Sequence, residues 1–156
     1  NKEVLNEISS MGREAMERMR DTVWAIDSRK DKVENLIDRM RDFAEKNLHS
    51  KRMTHEFVNG IEDAKKFIDP ERRQNIYLIF KEAITNIIKH SDGSHVVISL
   101  SEDNGRLRLM VRDNGSQKPP TRSDGQGLSN MKMRAQKIGG ELTFGFDHGF
   151  VVELWV

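Results

Sequence analysis

Apolar residues recur through the first 26 positions at steps of three and four. Val4, Ile8, Met11, Ala15, Met19, Val23 and Ile26 fall on one stripe of a helix whose other faces carry Glu, Arg and Asp. The stripe resembles a coiled-coil seam and needs a partner: a second copy of the helix, a segment upstream, or the chain's own domain. Residues 27–31 (DSRKD) break the pattern, and Val33, Leu36, Ile37, Met40, Phe43, Ala44 and Leu48 mark a second amphipathic helix. THEFVNGI (54–61) alternates loosely and predicts a short strand. Pro70 suits the first turn of a long helix, roughly 71–90, with Asp69 as its cap and Glu71 near the positive end of its dipole.

Past that helix, HVVISLS (95–101) and RLRLMVRD (106–113) read as two strands of a hairpin joined across EDNG. Residues 114–127 hold Gly, Pro and polar residues and almost nothing apolar, which predicts an exposed, mobile loop. A fourth, shorter helix runs from about Leu128 to Ile138 and stops at Gly139 and Gly140. ELTFGF and FVVELWV, parted by DHG, form a closing hairpin. The order of elements predicts an α+β fold, a mixed, mostly antiparallel sheet with helices on one face, preceded by an N-terminal helix.

Composition narrows the partners. The 156 residues are 36% hydrophobic and 33% charged, enough for one compact domain with an appended helix. Lys plus Arg (26) nearly balance Asp plus Glu (25), so no global charge argues for nucleic acid or an anionic membrane. The absence of cysteine excludes disulfides and thiolate metal sites and fits a cytoplasmic compartment. Apolar runs fall far short of the roughly 20 residues that span a bilayer. The chain starts without Met and inside a helical pattern, so residue 1 is expected to follow a longer polypeptide.

Chemistry concentrates in three places. Glu82, Asn86 and Lys89 are spaced by four and three, so they share one face of the long helix, with His90 beside them and Ile76, Phe80, Ile84, Ile87 and Ile88 opposite. Carboxylate and amide oxygens suit a hard cation, and an ammonium suits phosphate. The same trio is also what an ordinary solvated helix face looks like. DNG (113–115) ends a strand: Asp113 can accept a hydrogen bond from an exocyclic amine, and Gly115 lets a flat ring approach the backbone, although DNG is equally a common turn. GQGL (125–128) puts glycines just before a helix start, where free backbone N–H groups favour phosphate.

Together and in this order, the three resemble a known family. EAITNIIKHS looks like the N box of sensor histidine kinases, DNG like the start of their first glycine box, and GQGLSNMKMRAQKIGGEL like the second box with its following helix. The resemblance covers roughly residues 33–156 and implies the two-layer sandwich shared with gyrase, the ninety-kilodalton heat-shock chaperone and mismatch-repair ATPases. RMRDTVWAIDSRKDKVENLIDRMRDFAEKNL is similar to the segment that joins the dimerisation helix to the ATPase domain in a subset of these kinases. Residues 1–28 are thus expected to end a dimerisation helix, and 29–156 to form an ATP-binding catalytic domain.

The resemblance implies that Asp113 binds the adenine amine beside Gly115, Asn86 ligates magnesium, Lys89 contacts phosphate, and Gly125 and Gly127 shape a lid around the phosphates. Glu82 would orient or deprotonate the attacking group, with His90 near phosphate or ribose. Leu128, Asn130 and Arg134 follow the family pattern after the second glycine box. The implied activity is autophosphorylation from Mg2+-ATP of a histidine upstream of residue 1, then signalling to a response regulator receiver. The implied assembly is a homodimer through the N-terminal helix, on the cytoplasmic side of a parent anchored in the inner membrane. None of His49, His55, His90, His95 and His148 sits in the His-Asp or His-Glu context expected of the acceptor on an N-terminal dimerisation helix, and none makes metal spacing.

The departures keep other readings open. No second glycine follows DNG, where Ser116 and Gln117 lead to Pro119 and Pro120, and the usual last glycine box is reduced to Asp147, His148, Gly149 and Phe150. A degenerate module that binds a partner without turnover, or an anti-sigma-type serine kinase, are the alternatives. Trp24 and Trp155 are expected in core or interface.

Overall fold

The computed structural model describes residues 1–116 and 126–156, apart from the side chain of Gln126; the expected loop falls largely outside this range. The elements are α1 (Lys2–Ile26), a 3-10 turn (Ser28–Lys30), α2 (Val33–Ser50), β1 (Thr54–Gly60), α3 (Pro70–His90), β2 (His95–Asp103), β3 (Arg106–Asp113), α4 (Gln126–Lys137), β4 (Glu141–Phe146) and β5 (Phe150–Trp155). Local chemistry explains the boundaries. Asp69 accepts hydrogen bonds from the amides of Glu71 and Arg72 at 3.0 and 3.3 Å, with Pro70 in the first turn of α3. Asn104 and Gly105, at φ 50° and 78°, make the primed turn that a two-residue hairpin requires. Gly139, at φ 67°, closes α4, and the Gly140 amide donates to the Ala135 carbonyl at 2.8 Å.

The five strands lie in the order β1-β2-β3-β5-β4, with β1 parallel to β2 and every other pair antiparallel. The mixed sheet read from the sequence is therefore the one observed. Alternation sends Val96, Ile98 and Leu100 of β2, Leu107, Leu109 and Val111 of β3, and Phe150, Val152 and Leu154 of β5 to one face. There they meet Leu36, Met40 and Leu48 of α2, Ile76, Ile79, Phe80, Ala83, Ile84 and Ile87 of α3, and Met131 and Ala135 of α4 in one core. Ile88, expected among the core residues of α3, is only partly buried and packs against it.

The N-terminal helix behaves differently along its length. Val4, Leu5, Ile8, Met11, Met16, Met19, Val23 and Ile26 are exposed, whereas Asp21, Trp24 and Ala25 are buried against the domain. Trp24 sits in the core with its ring centroid 5.3 Å from that of Tyr77. Trp155 lies instead on the outer sheet face, half-covered by Arg106 and Arg108 over its ring.

Candidate functional site

Along β3 the inward positions are Leu107, Leu109, Val111 and then Asp113, so the strand's own alternation carries a carboxylate into the core layer, where it is 5% exposed. Oδ1 of Asp113 accepts from the Gly115 amide at 2.8 Å and from the Phe150 amide at 3.0 Å. Both bonds fall on the same oxygen, so Oδ2 carries no hydrogen bond among the described residues and can accept one.

The turn after β3 and the loop between α3 and β2 are knitted together. Oδ1 of Asn114 accepts from the amides of Ser94 and His95 at 2.8 and 3.0 Å. The Ser116 amide donates to Oδ1 of Asp92 at 2.7 Å, and its hydroxyl donates to Oδ2 of the same carboxylate. Such contact needs glycine: a Cβ on Gly115 would stand 2.7 Å from the Ser91 hydroxyl oxygen, and one on Gly93 would stand 2.6 Å from Oδ1 of Asn114. Gly149, at φ 144°, closes the corner from the β4–β5 turn, where a Cβ would strike the Asp113 carbonyl oxygen. Beside it, the hydrogen bond from His148, with the charges of His148 and Arg112, holds the Asp147 carboxyl below its usual range.

The other end of the site is looser. Glu82 and Asn86 are half-buried on α3, Lys89 and His90 are exposed at its end, and none of the four makes a side-chain hydrogen bond or ion pair among the described residues. Gly127, in the first turn of α4, rests on them: a Cβ there would collide with Oε1 of Glu82 and lie 3.4 Å from Oδ1 of Asn86. Two side-chain oxygens thus face the N-terminal end of a helix, the usual setting for phosphate and its cation. On the flank toward α1, Glu82, Asn130 and Arg134 line a cleft of about 510 Å³ with Arg18, Asp21 and Lys81.

A family profile described as "Histidine kinase-, DNA gyrase B-, and HSP90-like ATPase" matches residues 71–156, which include α3, the glycine turn and every later strand. The chain belongs to this ATPase family. Similar curated proteins include the sensor histidine kinases YxjM and YvfT of Bacillus subtilis, at 44% identity over 48% of this chain and 37% over 57%. The matches cover only 18% and 24% of those proteins. Among solved structures, the Acinetobacter baumannii histidine kinase AdeS superposes with a TM-score of 0.68 at 15% identity, covering 99% of this chain and 82% of that one. Full-length ShkA in complex with AMPPNP gives a TM-score of 0.61 at 20% identity, over 79% of this chain and 29% of that one. At such identities the structures establish the fold.

Within this histidine kinase-like ATPase domain, the residues expected from the sequence fall into separate groups. Asp113 and Gly115 make the buried corner; Glu82, Asn86 and Gly127 make the opposite rim; Asn130 and Arg134 face the cleft beside α1, where Nη1 of Arg134 reaches Oδ1 of Asn75 at 3.4 Å. Leu128 packs against the core, and Gly125 lies outside the described residues. The sequence reading missed Ser91, Asp92, Asn114, Ser116 and the Phe150 amide. For Ser91 and Asp92 the available signal is SDGS (91–94) after α3, where a glycine allows close backbone approach. Among the described residues, no group of three or more His, Cys, Asp or Glu could cage a metal. The oxygen donors nearest the start of α4 are those of Asn86 and Glu82, a type that suits a hard cation.

Proposed function

We propose that this domain binds ATP with magnesium and transfers the terminal phosphoryl group to a histidine upstream of residue 1, from which it passes to a response regulator receiver. The observation that carries the reading is the buried Asp113: one oxygen is fixed by two backbone amides and the other left to accept from the exocyclic amine of adenine. Guanine, which presents a carbonyl oxygen at that position, would set acceptor against acceptor and be rejected.

The remaining roles follow the order of residues along α3 and α4. Asn86 would hold magnesium, which neutralises phosphate oxygens when bound. Lys89 and the backbone around Gly125, Gly127 and Leu128 would receive the phosphates, with His90 near phosphate or ribose. Glu82 would accept a hydrogen bond from the attacking imidazole and orient it. Asn130 and Arg134 would face the transferred group from α4. Residues 1–28 would end a dimerisation helix whose exposed stripe pairs with a second copy, and 29–156 would be the catalytic unit. No described helix is long and apolar enough to cross a membrane; anchoring to the inner membrane, with this domain on the cytoplasmic side, would come from the parent chain.

A second reading, nucleotide binding without turnover, draws support from the last glycine box, where Gly149 packs on the Asp113 backbone. Calorimetric titration with ATP and GTP, with and without magnesium, tests the first. Wild type should bind ATP in preference to GTP. Asp113→Asn, which keeps an acceptor for both amides but turns a donor toward the base, should stay folded and lose ATP. No binding by folded wild type would refute the ATPase reading. Binding without phosphorylation in a longer chain carrying the acceptor would favour the second.

A further inference from the structure

Helix α1 ends without a basic residue in its last turn, and the Asp27 amide caps it locally by donating to the Trp24 carbonyl at 3.3 Å. A further partner comes from α3. Arg73, fully buried, donates through Nη2 to the carbonyls of Trp24 at 3.0 Å and Ala25 at 2.7 Å, with a longer contact of 3.4 Å to that of Asp27. Its guanidinium lies 4.8 Å from the Trp24 ring centroid. One turn earlier on the same face of α1, the buried Asp21 bridges Nη2 of Arg39 at 2.6 Å and Nζ of Lys81 at 2.7 Å.

The two contacts are in register. Arg73, Tyr77 and Lys81 are spaced by four along α3, so they form a row that meets Asp21 and Trp24 on α1. The row leads into the site: Lys81 directly precedes Glu82, and Asn75 receives Arg134 from α4. The closure is not one of deep stability. Nε and Nη1 of Arg73 are buried and find no partner among the described residues, and burial pulls the pKa of this guanidinium down. Such incompletely satisfied buried charge offsets much of what its hydrogen bonds contribute. A geometry held by these two polar contacts and by the packing of Trp24 on Tyr77, confined to the last turns of α1, can open without unfolding the domain.

We propose that Arg73 and Asp21 are positioning residues, a two-point latch that fixes the pitch of α1 on α3 and so delivers the segment preceding α1 to Glu82 at a set angle. The inference rests on the reading of Glu82 as the phosphoryl-transfer end. The latch itself is read without any kinase assay, in this chain carrying Trp155→Phe so that Trp24 alone reports.

Arg73→Met and the milder Asp21→Asn should each shift Trp24 emission to the red and speed amide exchange across residues 20–26 at least about tenfold. Cooperative melting of the domain should persist, and ATP affinity should stay within about threefold of wild type. Arg73→Lys should not restore the emission, because an ammonium cannot reach two carbonyls while stacking on the indole. In a longer chain carrying the acceptor histidine, Asp21→Asn should lower kcat with KM for ATP unchanged. Unchanged Trp24 emission and exchange in both variants would refute the latch. An open latch with unchanged or raised kcat would refute its positioning role. Wild type that binds no ATP would refute the proposed function and leave the fluorescence result to decide whether the latch exists.

Discussion

The corner at Asp113 and the rim at Glu82 and Asn86 would hold opposite ends of one nucleotide, yet they are built on different principles. At the corner, two loops and a hairpin turn cross at backbone distance, and every polar group named there except Oδ2 of Asp113 has its partner within the protein. At the rim, the oxygens of Glu82 and Asn86 have no protein partner among the described residues, and a glycine in the first turn of α4 leaves them room. The lesson is a division of labour. A base has fixed shape and rewards a rigid, prepaid recess, whereas phosphates and a cation change charge and position during transfer and need groups free to follow them.

Adding one methyl group to each region should break the comparison most sharply. Gly149→Ala places a Cβ against the Asp113 carbonyl oxygen at a φ of 144°, where a side chain is strained regardless of space. Backbone cannot move aside as a side-chain tip can, so the substitution should cost about 2–4 kcal/mol in denaturant unfolding and weaken ATP binding by displacing Asp113. A melting midpoint equal to wild type would show that the corner is softer than its hydrogen bonds suggest.

Next in size is Asp92→Ala. It removes the acceptor of both the Ser116 amide and hydroxyl, bonds that lie at the exposed side of the corner. Water can replace a lost partner there, so the expected loss is about 1 kcal/mol of stability, with a fall in ATP affinity from a loosened turn. Equal affinity in the variant would separate the clasp from base recognition.

Much of this division was legible in the sequence, but unevenly. Element order, the Asp69 cap and the stops at Gly139 and Gly140 are local facts, and local chemistry decided them. Asp113 was legible because strand alternation and the DNG turn act over a few residues. The corner's other half was not. Ser91, Asp92 and the Phe150 amide reach Asp113, Gly115 and Ser116 from segments far apart in the chain, and Ser, Asp and Gly in a row mark a turn whatever they later touch. The same limit hid Arg73. In sequence it is one of two arginines at the start of a helix, where positive charge opposes the dipole, and only the arrival of the α1 carbonyls explains its burial.

The methyl group that tests the rim is Gly127→Ala. Its Cβ would meet Oε1 of Glu82, the free end of a flexible side chain, and alanine is favoured over glycine inside a helix by about 1 kcal/mol. Stability should therefore change by less than about 1 kcal/mol in either direction. The displaced Glu82 should slow phosphoryl transfer while ATP affinity holds. A loss of stability as large as that of Gly149→Ala would mean that the two regions are equally rigid.

The smallest expected change in stability comes from Asn86→Ala, and it defines the rim best. Asn86 makes no side-chain hydrogen bond among the described residues and is half-buried on a helix that alanine favours. Its removal should leave unfolding within about 0.5 kcal/mol of wild type. Its effect should appear only when the cation is varied: ATP binding without magnesium should match wild type, and the gain on adding magnesium should disappear. If affinity falls equally with and without magnesium, Asn86 binds the nucleotide directly, and the cation depends on Glu82 and the phosphates. The rim would then be a second fixed recess, and the contrast with the corner would lie in its depth and not in its freedom to move.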